Sequence, residues 1–107
     1  METYTAYVPE KSIRQLQFWI DELSISIKLS KPRKTKLGDF KIYKGKLVIS
    51  INNNLNPYSF LITLTHELAH AFVYKNYNET KDPHGEKWQF MFKSMLLNFL
   101  TPDYFPK

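Results

Sequence analysis

Cysteine is absent from the 107 residues, which excludes disulfides, thiol catalysis and thiolate metal sites, so that any metal must be held by histidine or by a carboxylate. The chain also lacks a secretory start: Met1 to Val8 carries Glu2, Thr3, Tyr4 and Thr5, with no basic opening and no apolar run. No window approaches the length of a membrane span. These absences predict a cytoplasmic protein with no membrane partner, in which the Asn78-Glu79-Thr80 sequon is accidental. Internal repeats, low-complexity tracts and linkers are missing as well, and a chain of this length has room for one core. We therefore expect a single domain over residues 1–107, working as a monomer, with one site.

What is present is a foldable composition, 43% hydrophobic and 16% aromatic, too apolar for a disordered chain. The net charge of +5 is unevenly placed. Between Lys28 and Lys46 stand eight basic residues (Lys28, Lys31, Arg33, Lys34, Lys36, Lys41, Lys44 and Lys46) against Asp39 alone, while the remainder is mildly acidic. Such a field can recruit nucleic acid, with Arg33, Lys34 and Lys36 as the candidate contacts. It is also what a lysine-rich sheet edge that discourages aggregation would carry.

Periodicity orders the elements. Pro9 and Glu10 open a helix over about residues 9–24, with Ile13, Leu16, Ile20 and Leu23 on one stripe. Ile25, Ile27 and Leu29 then alternate with polar residues as a strand, which the Lys31-Pro32-Arg33-Lys34 stretch ends. Phe40, Ile42 and Tyr43 form a second strand, Lys44-Gly45 a tight turn, and Leu47, Ile49 and Ile51 a third. A helix follows from Tyr58 to about Tyr77, bearing Leu61, Leu64, Leu68 and Phe72. After a polar loop from Asn78 to Pro83, a last helix runs from Gly85 to about Leu100, and the tail from Thr101 to Lys107 is irregular. The predicted class is α+β, with a small, mainly antiparallel three-stranded sheet.

The chemistry lies in the second of these helices, in His66-Glu67-Leu68-Ala69-His70. An i, i+4 spacing puts both imidazoles on one face, one turn apart, where they can bite one metal ion. Neutral imidazole suits zinc, which takes three protein ligands at a catalytic site and leaves a position for water. Glu67, beside the first ligand, is placed to act as general base on that water as it attacks a peptide carbonyl, and then to hand the proton to the leaving amine. One Zn2+ per chain is the expected cofactor.

For the third ligand the chain offers Glu79, Asp82, Glu86 and the one remaining histidine, His84, which follows His70 after a gap of thirteen residues. His84 is preferred, since every histidine is then used once. The metzincin arrangement is excluded, because Val73 and Asn76 occupy the positions of its glycine and third histidine. His66-Glu67-Leu68-Ala69-His70 followed by His84-Gly85-Glu86-Lys87-Trp88, with the basic Lys34-Thr35-Lys36-Leu37-Gly38 ahead of the hairpin, resembles the SprT-like zinc metallopeptidase family over about residues 10–100. The resemblance implies a zincin-like core with an N-terminal helix, a small sheet, the metal-binding helix and a closing C-terminal helix. It also implies a three-histidine zinc site with Glu67 as the catalytic glutamate. The family includes the Spartan protease, which digests proteins crosslinked to DNA; the cysteines of the zinc-ribbon tail carried by many relatives are absent here.

Other residues carry less. Tyr74 continues the ligand face and is a candidate oxyanion donor. Gly85 reads either as a close approach to the metal or as helix capping, and Trp88, Met91 and Met95 read as core packing. The strand from Lys46 to Asn53 is expected to be an edge on which an extended substrate adds as a further strand. The leading expectation is a zinc-dependent metallopeptidase acting on a protein or peptide substrate, with DNA-associated proteins as candidates. The alternative is a nucleic-acid-binding module with a structural zinc, which needs a fourth protein ligand such as Glu79 or Asp82. A third reading is a protease whose partner completes the substrate cleft.

Overall fold

The computed structural model describes residues 3–77 and 84–100; the expected loop from Asn78 to Pro83, with its sequon, and the tail from Thr101 lie outside them. Short helical turns at Tyr4–Ala6 and Glu10–Ser12 lead into α1 (Ile13–Leu23). Its buried stripe is Leu16, Trp19, Ile20 and Leu23, the expected spacing with Trp19 added. Ser24 ends the helix in the left-handed conformation, φ 50°, and the Ile25 amide reaches back to the Ile20 carbonyl at 3.2 Å. That turn converts a helix into a strand within two residues.

Three strands follow, β1 (Ser26–Ser30), β2 (Gly38–Tyr43) and β3 (Lys46–Asn52). Lys44 and Gly45 both have positive φ, 51° and 78°, the backbone that a two-residue hairpin turn demands. This hairpin is antiparallel, as expected. β1, however, joins β3 in parallel, Ile27 against Ile49 and Leu29 against Ile51, so the sheet is mixed, in the order β1-β3-β2.

The central place of β3 corrects the expectation that it is an edge: both its sides are already hydrogen-bonded, and no substrate strand can add to it. Alternation identifies the two faces of a strand and says nothing of its lateral neighbours. A signal was present, since Leu47-Val48-Ile49 runs apolar without a break, as central strands covered on both faces do. Ile49 and Ile51 are fully buried on one face, while Val48 and Asn52 are buried on the other. The edges are β1 and β2.

The long helix α2 (Pro57–Tyr77) begins where Asn56 caps it, its side-chain oxygen accepting from the Ser59 amide at 2.9 Å. Proline at the first helical position loses only an amide that no helix could use. Phe60, Leu61, Leu64 and Leu68 are fully buried, and each such side chain contributes about 1.5–3 kcal/mol of burial. Behind it α3 (Glu86–Leu96) is capped by extended Gly85 and seated by Met95 and Phe99. The ring of Phe99 meets Trp19 edge-on at 5.7 Å. Met95 is therefore core, as expected, and Met91 packs half-buried against it. No helix among the described residues is long and apolar enough to cross a membrane.

Gly38 sets the distance between α2 and the sheet. A Cβ at this position would lie 2.8 Å from the Ile51 side chain, 2.9 Å from that of Thr63 on α2, and 3.1 Å from the Ser50 carbonyl. Thr63 stands one helical turn before Glu67, so the clash would push directly on the segment that carries the site. Gly38→Ala is expected to lose about 1–3 kcal/mol through overpacking, read as a lower denaturant midpoint; an unchanged midpoint would show that α2 yields without cost.

Candidate metal centre

His66 and His70 stand one turn apart on α2, both half-buried, and His84 lies in the turn just before α3, exposed. The return of α3 along α2 brings the third ring to the other two. His66 Nε2 lies 3.2 Å from His70 Nε2 and 3.3 Å from His84 Nε2. The ligand atoms of all three fall within 4.8 Å of one another, a group able to hold one metal ion.

Hydrogen bonding alone does not account for this arrangement. A neutral imidazole offers one N–H and one lone pair, so the His66 Nε2 atom that faces two other ring nitrogens can serve only one of them as donor. A tetrahedral ion bound at about 2.0–2.1 Å to each nitrogen sets neighbouring nitrogens about 3.3 Å apart, the spacing of His66 from each of the other two. The donor set of imidazole nitrogens fits a borderline first-row ion such as zinc.

Electrostatics favour the ligand form of the rings. Burial, followed by the charges of His66 and His84, pushes His70 down to about 4, and burial with His84 lowers His66. Lone pairs are thus available near neutrality. Glu67, the residue after the first ligand, is 7% exposed. Burial and the nearby Asp39 charge push its carboxyl up to about 7, against the pull of Arg33 and Lys36.

The basic residues singled out in the sequence divide. Arg33 is turned inward: Nε donates to Asn52 Oδ1 at 2.8 Å, one terminal nitrogen donates to Ser50 Oγ at 3.0 Å and lies 3.8 Å from Asp39, and the other donates to the Ser50 carbonyl. Lys36 donates to Asp39 at 2.7 Å. Buried Asn52 donates to the Lys36 carbonyl at 2.9 Å, and its backbone amide donates to the Leu37 carbonyl at 2.8 Å. Together these bonds clamp the segment before β2 onto the end of β3. Asp39, pushed up by partial burial, is held below the usual carboxylate range by the Lys36 and Ser50 hydrogen bonds and by the Lys36 and Arg33 charges. Lys34 lies exposed.

Of the other candidates, Tyr74 is half-buried with its ring 6.0 Å from Phe40 of β2. Gly85 is the cap of α3. Glu86, described and exposed, is outside the three-histidine group, while Glu79 and Asp82 lie outside the described residues. Sequence reasoning missed the surroundings of the histidines. The ring of Trp88 stacks on His70 at 5.2 Å and on Phe92 at 5.0 Å, and its indole N–H donates to the His66 carbonyl at 3.2 Å. The four-residue spacings from His84 to Trp88 and on to Phe92 were the available signal, since side chains so spaced share a helix face.

No curated protein matches the chain at a significant level. The SprT-like family model matches residues 9–102, a span that holds all three histidines and Glu67, and family and triad together are consistent with a zinc metallopeptidase site of the HExxH type. With nearly its whole length matched, the chain belongs to the SprT-like family.

Proposed function

We propose that this chain is a zinc metallopeptidase in which His66, His70 and His84 hold Zn2+ and Glu67 is the general base. The observation that carries the reading is the meeting of three imidazole nitrogens, at 3.2 and 3.3 Å from His66, beside a buried carboxyl. Zinc, when bound, supplies Lewis acidity and lowers the pKa of water to about 7. Glu67 takes the proton of the attacking water and passes it to the leaving amine. A carboxyl that burial pushes up to about 7 is suited to both transfers, because a proton carrier works best with a pKa near the operating pH. Tyr74, one turn beyond His70, is the proposed donor to the oxyanion. The exposed side of the triad, at His84, is where a peptide enters.

The proposed working unit is a monomer. For the substrate we propose proteins met on nucleic acid. Arg33 and Lys36 are engaged within the chain, which leaves the exposed Lys28, Lys31 and Lys34 and the exposed hairpin lysines Lys41, Lys44 and Lys46 to supply the field. The structural-zinc alternative needs a fourth protein ligand, for which Glu79 and Asp82 are the candidates, both outside the described residues.

The test is zinc content followed by casein digestion, with and without a chelator and with and without single-stranded DNA. One zinc per chain and digestion that stops on chelation are expected, with DNA raising the rate at low salt. Tyr74→Phe in the same assay should lower kcat. A purified chain that takes up no zinc would overturn the proposal, and zinc without hydrolysis would favour the structural or partner-dependent reading.

A further inference from the structure

Imidazole rings on a half-exposed helix face have rotamers to choose from, and fixing each costs rotamer entropy. Here three of them already point at one place, and one side chain touches all three. Trp88 stacks on His70 with planes 19° apart, and it meets His66 and His84 edge-on at 4.8 and 4.6 Å. Phe92 backs it, stacked at 5.0 Å with planes 18° apart, so His70, Trp88 and Phe92 form a continuous stack of rings. The indole N–H donates to the backbone carbonyl of His66 itself. That bond ties α3 to α2 at the first ligand, and His84 is four residues before Trp88 on the tied segment.

We propose that Trp88 is a positioning residue of the metal centre, holding the imidazoles converged and bringing His84 to the pair on α2 before the metal arrives. Trp88 is half-buried and packs against the core, the ordinary role of a tryptophan at this spacing. Core packing alone does not require that one ring also meet all three ligands, as this one does. Groups that orient first ligands in this way change metal affinity by about 10–100-fold when removed. The inference rests on the reading that the triad binds zinc, and the experiment keeps the two apart.

Zinc is titrated into the wild-type chain, Trp88→Phe and Trp88→Ala, with tryptophan emission followed directly and affinity taken from competition with a chelator. Emission should respond to zinc in the wild type, and that response should be lost in Trp88→Phe, where Trp19 is the remaining tryptophan. Affinity should fall about 10–100-fold in Trp88→Ala and less in Trp88→Phe, which keeps a ring against His70 but loses the N–H bond. Trp88→Ala that is folded by circular dichroism and binds zinc as tightly as the wild type would overturn the positioning role alone. Should that variant not fold, a wild type that binds zinc with unresponsive Trp88 emission would overturn it equally. A wild type that binds no zinc would overturn the metal reading and this inference with it.

Discussion

Glu67→Gln is expected to lower peptide hydrolysis by about 10²–10⁴-fold, the usual worth of a general base, while zinc stays bound. The amide has the shape of the carboxyl and cannot accept the proton. The Glu67 carboxylate is not part of the three-histidine group, so the ligand set is untouched. The fold should not suffer either. Glu67 is buried and pushed up to about 7 chiefly by that burial, which means that its surroundings disfavour the anion, and a neutral amide removes that penalty. Thermal melting at neutral pH should therefore be unchanged or raised. Hydrolysis and zinc stoichiometry, measured side by side, decide the matter: full activity in the variant would assign the base elsewhere, and loss of zinc would make Glu67 a ligand.

His84→Ala is expected to give the largest fall in zinc affinity for the least structural cost. The residue is exposed and precedes α3, and substitutions at such positions change stability by about 0.5 kcal/mol or less. A complete structural zinc site is worth roughly 10–16 kcal/mol, so one ligand of four represents on the order of 3 kcal/mol, a hundredfold or more in affinity. Competition with a chelator should show that loss with little change in melting of the zinc-free chain. Unchanged affinity would mean that Glu79, Asp82 or Glu86 supplies the third ligand, and the three-histidine reading would fail.

The pair on α2 was legible because helix geometry is local. Four residues advance about one turn, so His66 and His70 share a face in any α-helix whatever it packs against. The same holds for Lys44-Gly45, whose turn is written in two residues, and for the stripe of Leu16, Ile20 and Leu23 on α1. Where the reading went astray, the missing information was lateral. The alternation of β3 is the same whether its neighbours lie on one side or two, and β1 pairs in parallel only because the chain passes through β2 before returning to its side. Arg33 read as a candidate nucleic-acid contact; that it faces Ser50 and Asn52 depends on residues seventeen and nineteen positions away.

By itself, then, the sequence determined the chemistry on offer: no thiolates, two imidazoles on one turn, a carboxylate beside the first, one further histidine downstream, and an α+β order of elements. Only the tertiary structure decided that His84 meets the pair, that Trp88 touches all three rings, that β3 is central, and that Gly38 lets α2 approach the sheet. The division has one physical cause. Spacing within an element is set by backbone geometry over a few residues, whereas the meeting of elements is set by burial and packing among residues far apart in the chain, which no local pattern records.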